Sequence, residues 1–284
     1  MQSRWGYKTE QDIRGVYENY KKAGIPLDSI CLDIDYMKDY KDFTVDPERF
    51  SDLKKFSDEL KADGVRLVPI IDAGVKIEDG YDVYEEGVKK DLFCKKQDGK
   101  NFVAGVWPGR THFPDFMKQE AREWFGQKYK ILTDMGIEGF WNDMNEPAIF
   151  YSDEGLEEVI KKIKSVDTSN LDINSFFGFK DIVLSVSNSQ DDYNRFYHEV
   201  TQDGKTFMVK HNDIHNLYGY NMTRSAGEEL TKIRDGKRTL LFSRSSYIGM
   251  HRYGGIWQGD NRSWWSHLLM NLQMMPSLNM CGFL

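Results

Sequence analysis

The sequence predicts an α/β protein whose core is a parallel β-sheet. Segments with apolar residues at helical spacing alternate with short apolar runs, which is the pattern of repeated βα units. Two of these runs, residues 139–147 and 254–261, carry a tryptophan followed by an aspartate near their polar ends. In barrel and doubly wound α/β proteins, ligands bind at the carboxyl ends of the parallel strands. The sequence therefore places a candidate site at that edge of the sheet.

A helix and a strand are predicted at the start of the chain. Thr9 is a helix N-cap, apolar residues recur at helical spacing after it, and Gly24 ends the helix. Residues 29–34 follow as a strand that ends at two acids, Asp33 and Asp35. A solvated strand end explains both acids as well as a binding role does, so this pattern leaves their function open.

The next helix and strand repeat this order. The helix is predicted to begin at Pro47, because proline suits the first helical position, and to end at Gly64. Residues 65–72 form a strand that is apolar enough to be buried on both faces. Ile70 and Asp72 fall on one face near its end.

Two stretches, at about residues 73–111 and 148–215, depart from the regular pattern. Both are too long for ordinary βα loops, so we interpret them as insertions beside the candidate site. In the second, His211 and His215 are four residues apart, a spacing that suits a pair of metal ligands on a helix. A structural role is the stronger interpretation of this pair, and we expect neither a metal nor a cofactor.

Further strand signals follow the second insertion. Residues 239–243 form an apolar run that ends at Arg244, and residues 254–261 form another that ends near Asp260. A free arginine at a strand end often only pairs with a neighbouring acid. With the runs near residues 29, 65 and 137, the chain has five internal strands.

Composition excludes several classes of function. A net charge of −7 gives no electrostatic basis for binding nucleic acid or an anionic membrane. No apolar run approaches the roughly 18 residues of a membrane span, and the polar first 15 residues do not resemble a signal peptide. The 3 cysteines fit neither a disulfide framework nor a zinc site, and they favour a reducing, cytoplasmic location.

The two tryptophan-containing runs resemble motifs of a known family. Trp141-Asn142-Asp143-Met144-Asn145-Glu146-Pro147 closely resembles the W-x-D-M-N-E signature of glycoside hydrolase family 31, which contains α-glucosidases and α-xylosidases. Trp257-Gln258-Gly259-Asp260-Asn261 resembles the W-x-G-D-N segment of that family. Residues 33–37, 107–116 and 244–249 resemble its D-x-D-Y-M, W-P-G-x-x-x-F-P-D-F and R-S-x-x-x-G segments, in the family's order.

The resemblance implies a (β/α)8 TIM barrel. Such a barrel needs eight strands, so five internal strands imply that it is incomplete in this chain. In the family, the first strand precedes a run like residues 3–7, and another strand should begin near Cys281. Residues 1–284 are therefore expected to be the catalytic barrel portion of a larger enzyme. The two insertions would lie at the barrel mouth, and the family's flanking β-domains would be absent.

The resemblance also implies a role for each site residue. It makes Asp143 the nucleophile and Asp260 the acid/base. The substrate-binding residues that it implies are Asp33, Ile70, Trp107, Trp141, Met144, Arg244 and Trp257. For Asp143 considered alone, a capping aspartate beside a core Trp141 is the stronger interpretation, and the second tryptophan–aspartate strand end near Asp260 weakens it.

With the roles that the resemblance implies, these residues predict a retaining, exo-acting α-glucosidase. Two carboxyl groups roughly 5–5.5 Å apart would form and then hydrolyse a glycosyl-enzyme intermediate. This requires Asp260 to stay protonated near neutral pH while Asp143 stays ionised, for example through less solvent around Asp260. The expected partner is a small α-glucoside such as maltose or isomaltose, with a homo-oligomer left open. An α-xylosidase or α-transglucosidase on the same machinery and a non-catalytic carbohydrate-binding subunit are the alternatives.

Overall fold

A computed structural model gives the structure of residues 1–282. In this part of the chain the α-helices are α1 (Glu10–Ala23), α2 (Leu53–Ala62), α3 (Asp82–Lys89), α4 (Gln119–Lys128), α5 (Lys130–Thr133), α6 (Asp153–Lys164), α7 (Ile173–Leu184), α8 (Gln190–Tyr193), α9 (His211–Ile214), α10 (Leu217–Ile233) and α11 (Trp265–Met280). The strands are β1 (Ser29–Leu32), β2 (Arg66–Ile71), β3 (Val75–Lys76), β4 (Lys95–Lys96), β5 (Ala104–Val106), β6 (Gly109–His112), β7 (Gly139–Asn142), β8 (Tyr151–Ser152), β9 (Phe196–Gln202), β10 (Lys205–Lys210), β11 (Leu240–Ser243) and β12 (Gly255–Ile256).

The chain divides into two compact units. The first unit comprises Met1–Ala73, Arg122–Glu146 and the chain from Asn216 onwards, and the second comprises Gly74–Ala121 and Pro147–His215. The interpretation of residues 73–111 and 148–215 as insertions at a barrel mouth stays a prediction.

The first unit contains a five-stranded parallel sheet in the order β1-β2-β7-β11-β12. A helix precedes each of the first four of these strands, as expected for βα units. Every residue of β1 is buried, and so are the last five of β2, because parallel strands are covered on both faces. The five strands expected near residues 29, 65, 137, 239 and 255 are confirmed.

Local hydrogen bonds set the ends of these elements, and two predicted boundaries are wrong. Helix α2 begins after Asp52, whose carboxylate accepts a hydrogen bond from Lys55 N at 2.9 Å, and not at Pro47. The first strand stops at Leu32, because Asp33 caps a 3₁₀ turn by accepting a hydrogen bond from Ile34 N at 2.8 Å. Short polar side chains that bond the nearby backbone compete in this way with regular structure.

A cluster of aromatic residues is buried in the core of the first unit. The ring of Phe43 meets Phe125 and Tyr129 edge-on, with centroids 5.1 and 5.3 Å away, and Tyr129 meets Phe140 at 4.9 Å. The Tyr129 hydroxyl donates a 2.6 Å hydrogen bond to the side chain of Asn142, the last residue of β7. This cluster therefore fixes the end of the strand that precedes Asp143.

The second unit is built on antiparallel sheets. One has the strand order β3-β6-β5-β8, and the other has the order β10-β9-β4. Phe102 and Phe196 stack in its core with their ring centroids 4.5 Å apart. This unit also contains a buried group of histidines.

The last helix, α11, is followed by a turn at Cys281 and Gly282. The strand expected to begin near Cys281 is therefore not found at those two residues, and positions 283 and 284 lie outside the described residues. Among helices of residues 1–282, none combines the length and the apolar character needed to cross a membrane.

Candidate active site

Charged side chains follow the carboxyl ends of the five parallel strands in the first unit. They are Asp33 after β1, Asp72 after β2, Asp143 after β7, Arg244 after β11 and Asp260 beyond β12. Because the strands are parallel, all of these residues follow the same edge of the sheet. The sequence-based prediction assigned roles to four of them, and Asp72 received none.

Asp143 lies at the point where β7 ends and the chain turns. Its backbone N–H donates to Ile71 O at 3.0 Å, so the hydrogen-bond ladder extends one residue beyond the strand. Met144 then adopts a positive φ of 53°, which stops the alternation of side chains. The alternation that would bring Asn145 to the same face as Trp141 and Asp143 therefore ends at Asp143, and Asn145 is fully buried.

Asn145 connects the ends of β7 and β11 through side-chain hydrogen bonds. Its side-chain amide donates to Ser243 Oγ at 2.9 Å, and its side-chain oxygen accepts a hydrogen bond from Ser245 N at 3.0 Å. Gly219 of α10 packs against this junction, where an added Cβ would lie only 2.8 Å from Asn145 O. The loops after β7 and β11 are thus held in one arrangement.

Arg244 contacts two acids at this edge. Its Nε lies 3.0 Å from Asp143 Oδ1. Its guanidinium also donates to both carboxylate oxygens of Glu146, at 3.0 and 2.9 Å. The Nε–H points at Glu146, so the close approach to Asp143 is electrostatic, and Asp143 Oδ1 accepts no hydrogen bond from the described residues. Arg244 Nη2 also contacts the sulfur of Met144 at 3.4 Å.

The charges in this group act on one another. Burial raises the pKa of Asp143 to about 6, although the positive charge of Arg244 opposes this rise. Burial also raises the pKa of Asp33, and the hydrogen bond from Ile34 N partly offsets it. The charge of Asp260 contributes to the raised pKa of both Asp143 and Asp33, so Asp260 lies within electrostatic range of each of these carboxyl groups.

The sequence suggested less solvent around Asp260 than around Asp143, and the structure shows the opposite order of exposure. The Asp143 side chain is only 14% exposed, whereas Asp260 is an exposed residue. Asp260 lies beyond the end of β12 at Ile256, and it begins a run of exposed residues, 260–266. In this structure, therefore, it is Asp143 that has the smaller access to solvent.

Two tryptophans lie side by side near this edge. The rings of Trp141 and Trp257 meet edge-on with centroids 5.5 Å apart. The indole N–H of Trp141 donates to Leu32 O at 3.1 Å, which fixes its ring across the end of β1. Both residues are partly exposed and offer an apolar surface beside the acids.

Ile70 and Trp107 are two further predicted binding residues, and each has its own neighbours in the structure. Ile70 is 1% exposed and pairs with Trp141 inside the sheet, while its carbonyl accepts a hydrogen bond from Tyr36 Oη at 2.8 Å. Trp107 belongs to the second unit, where it is 41% exposed and meets Phe150 with centroids 4.9 Å apart. The binding roles of Ile70 and Trp107 stay predictions.

The structure adds residues that the sequence-based prediction did not assign. Glu146 is the bidentate partner of Arg244, and its place in the motif after Asp143 was the available signal. Asp72 is buried at the end of β2, and its backbone N–H donates to the carboxylate of Asp42 at 2.8 Å. Asp72 directly follows a predicted strand, as Asp143 does, and this position was the sequence signal that could have identified it.

A separate buried cluster in the second unit has the chemistry of a metal site. Cys94, Asp115 and His198 bring a thiol, a carboxylate and an imidazole together, a donor set that suits zinc. Both ring nitrogens of His198 are already within hydrogen-bond distance, one at 2.7 Å from Asp115 Oδ1 and the other at 2.9 Å from His211 Nδ1. Burial also raises the pKa of Cys94 well above its usual value, which favours the neutral thiol over a metal-binding thiolate.

The same chain of contacts continues to the histidine pair found in the sequence. His211 Nε2 lies 3.0 Å from His215 Nδ1, so the two rings bind each other rather than a shared ligand. Asp115 Oδ2 accepts a further hydrogen bond from Glu199 N at 2.7 Å. These contacts favour the structural interpretation of His211 and His215.

Comparison with known proteins gives a consistent result over the whole chain. The family model described as the glycosyl hydrolases family 31 TIM-barrel domain matches residues 1–284. Alpha-glucosidase 2 of Bacillus thermoamyloliquefaciens is 38% identical over 281 residues, which are 99% of this chain and 31% of that relative. Alpha-xylosidase 1 of Arabidopsis thaliana is 32% identical over 308 residues, which are 99% of this chain and 32% of that relative.

A solved structure supports the same fold. The crystal structure of the ER glucosidase II heterodimeric complex is similar to this chain with a TM-score of 0.77 and 29% identity. The similarity covers 99% of this chain and 27% of that one. The predicted TIM-barrel fold class is thus confirmed, and the chain spans about a third of the length of the curated relatives it matches.

Proposed function

Because this chain belongs to glycosyl hydrolase family 31, we propose that it carries the central catalytic residues of a retaining, exo-acting α-glucosidase. The observation that carries the proposal is the group of acids and one arginine at a single sheet edge, with Asp143 beside Arg244 and within electrostatic range of Asp260. Catalytic residues of TIM-barrel enzymes come from this edge. Small α-glucosides such as maltose or isomaltose are the proposed substrates.

In the first chemical step, an oxygen of Asp143 attacks the anomeric carbon of the terminal glucose. The bond from that carbon to the leaving oxygen breaks, and Asp260 gives its proton to this oxygen. In the second step, Asp260 takes a proton from water, and the water oxygen displaces Asp143. Two displacements at the same carbon return the starting α-configuration.

Arg244 and the local burial set the charge state of Asp143. Asp143 must be ionised to attack, and a pKa of about 6 leaves it mostly ionised at neutral pH. Partial burial removes water that would otherwise solvate the carboxylate of Asp143. The Arg244 cation, whose Nε lies 3.0 Å from Asp143 Oδ1, favours the ionised form of Asp143. Asp260 must carry its proton in the same pH range, which requires that bound sugar displace water from this exposed acid.

The remaining residues of the edge are proposed to hold the terminal sugar. Asp33, which follows β1, would accept hydrogen bonds from sugar hydroxyls, and Trp141 and Trp257, whose rings meet edge-on, would form an aromatic wall. Met144 packs against the arginine. Ile70 and Trp107 are proposed as further pocket residues.

An α-xylosidase is the second candidate, because Alpha-xylosidase 1 of Arabidopsis thaliana is among the similar relatives. The same acids would serve either substrate, and the difference lies in whether the pocket accepts the C6 hydroxymethyl group of glucose. An α-transglucosidase would use the same intermediate with a sugar in place of water. A non-catalytic carbohydrate-binding subunit would not need both Asp143 and Asp260.

Product analysis of the protein at the full length encoded by its gene tests this proposal. Maltose, isomaltose, a nitrophenyl α-glucoside and a nitrophenyl α-xyloside are the substrates, and the released sugar and its anomeric configuration are measured. We expect glucose released first as the α-anomer. Release of the β-anomer would contradict a retaining mechanism. Faster release of xylose would favour the second candidate, and longer products from maltose would favour transfer.

A further inference from the structure

Three neighbouring strand ends place Asp72, Asp143 and Arg244 in one row. Strands β2 and β7 pair Ile71 with Asn142, and β7 and β11 pair Asn142 with Ser243. The backbone bonds from Asp143 N to Ile71 O at 3.0 Å and from Arg244 N to Asn142 O at 3.1 Å continue both ladders by one residue. In a parallel ladder these bonds place Asp72 beside Asp143, and Asp143 beside Arg244.

Asp143 therefore has a cation on one side and a second acid on the other. Arg244 makes an ion contact with Asp143, but its Nε–H donates a hydrogen bond to Glu146. Asp143 Oδ1 and both carboxyl oxygens of Asp72 are buried and accept no hydrogen bond among residues 1–282. Asp72 is only 2% exposed, so bulk solvent does not reach its carboxyl group. Two adjacent carboxyl groups thus each have an unused oxygen.

Charge determines which of the two acids carries a proton. Two carboxylates at neighbouring positions in a buried row repel each other, and one of them takes a proton. Asp143 lies next to Arg244, which favours its ionised form, whereas Asp72 is more deeply buried and farther along the row. Burial and the negative charges of Asp42, Asp143 and Asp33 raise the pKa of Asp72 well above its usual value, with Arg244 opposing.

We propose that Asp72 is a positioning residue that stays protonated at neutral pH and donates its O–H hydrogen bond to Asp143 Oδ1. This proposal rests on the proposed function of Asp143. This hydrogen bond would pair Asp143 Oδ1 with one of the two unpaired Asp72 oxygens and hold the attacking carboxylate in one orientation. The proton stays on Asp72 throughout, so no proton is gained or lost in the reaction.

The charged groups that act on Asp72 come from the ends of three strands of this sheet and from Asp42. Asp42 accepts the Asp72 backbone N–H at 2.8 Å, and burial raises its pKa as well. Asp33 lies at the end of β1, while Asp143 and Arg244 lie beyond β7 and β11. Each acid adds negative charge that favours protonated Asp72, and Arg244 is the cation that acts on it.

Two substitutions separate donation from other roles. Asp72→Asn keeps the shape and offers an amide N–H donor that does not titrate, while Asp72→Ala removes the donor. The measurement is the pH dependence of kcat/KM with a nitrophenyl α-glucoside, whose acidic limb reports the ionisation of Asp143 in the free enzyme. Asp42→Asn is the matched control, because it changes a buried carboxyl beside Asp72 rather than Asp72 itself.

We expect Asp72→Ala to move the acidic limb upward by about one pH unit, because a lost hydrogen bond to a carboxylate raises its pKa. In Asp72→Asn and Asp42→Asn the limb should stay within a few tenths of a unit of the wild type. A downward shift in Asp72→Asn would mean that a negative charge was removed, and an unmoved limb in Asp72→Ala would mean that no donor was lost. Either result overturns the proposal, and so does an equal upward shift in both Asp72 variants.

A second readout does not depend on turnover. The infrared spectrum of the wild type at neutral pH minus that of Asp72→Asn should show the C=O stretch of a protonated carboxyl. A carboxylate band in that difference would overturn the proposal. If the wild type lacks glucosidase activity, the proposed function fails, while the infrared difference still decides the protonation state of Asp72.

Discussion

Asp115 and Asp72 are both aspartates with 2% of their surface exposed, but their surroundings differ. In the second unit, both oxygens of Asp115 take part in hydrogen bonds, one with His198 and the other with Glu199 N. In the first unit, neither carboxyl oxygen of Asp72 accepts a hydrogen bond from the described residues. A satisfied buried network stabilises a fold, whereas orphaned buried polar atoms need another explanation.

The histidine cluster of the second unit and the charged group at the sheet edge of the first unit differ in the same way. The imidazoles of His198, His211 and His215 bind one another in a chain that begins at Asp115. At the sheet edge, Asp143 is held beside Arg244 by strand register, and its Oδ1 accepts no hydrogen bond from residues 1–282. We therefore propose that the histidine cluster stabilises the fold and that the residues at the sheet edge carry out catalysis. Variants in the two regions test these two roles against each other.

The largest expected effect belongs to Asp143. Asp143→Asn removes the attacking carboxylate with little change in shape, so kcat for maltose should fall by roughly 10⁴-fold or more. The measurement is steady-state hydrolysis, with circular dichroism to show that the fold is kept. Asp203→Asn, on an exposed turn, is the control and should match the wild type. Near-normal hydrolysis by folded Asp143→Asn would remove Asp143 as the nucleophile.

Arg244 should have the next largest effect. Arg244→Met removes the cation that lowers the pKa of Asp143, so that pKa should rise above about 6 and the acidic limb of kcat/KM should move to higher pH. We expect kcat/KM to fall by roughly 100-fold, equivalent to about 2.7 kcal/mol. Arg244→Lys keeps the charge but not the bidentate contact with Glu146, so it should show the smaller limb shift. Equal limb shifts in both variants would contradict a charge effect.

Stability should respond to Asp115 more than to Asp72. Asp115→Asn breaks contacts with His198 and Glu199 N and leaves buried groups unpaired, so the free energy of unfolding should fall by about 2 kcal/mol. Asp72→Asn breaks no side-chain hydrogen bond found in the described chain, and its change should be under about 1 kcal/mol. Denaturant unfolding of both variants measures the difference. A larger loss in Asp72→Asn would reverse the assignment of the two regions.

The strands and their order along the chain could be predicted, because an apolar run buried on both faces is a strong local signal. The start of α2 could not, because the choice between Pro47 and Asp52 as its beginning depends on local side-chain bonds. The turn at Met144 was also missed: a positive φ in a non-glycine residue has no clear sequence signal, and it is what buries Asn145.

Motifs could name candidate site residues, but they could not name a residue that reaches the candidate site only through strand pairing. Asp143, Arg244 and Asp260 stand in recognisable motifs, and the structure brings them to one edge. Asp72 stands beside Asp143 only through the pairing of β2 with β7, strands that are far apart in sequence. The low solvent access of Asp143 also arises from the folded chain and could not be read from the sequence.

The central claim is that Asp143 is the nucleophile and Asp260 the acid/base. The dependence of the hydrolysis rate on the leaving group tests this claim most directly. The two substrates are maltose, whose alkoxide leaving group needs a proton, and a dinitrophenyl α-glucoside, whose phenolate hardly does. Asp260→Ala should lose maltose hydrolysis severely but still form glycosyl-enzyme on Asp143 from the activated substrate. Added azide needs no general base and should release an α-glucosyl azide, whereas Asp143→Ala should show no such dependence. If Asp260→Ala lowers both substrates equally and azide rescues nothing, or if the azide product has the β-configuration, the account is contradicted.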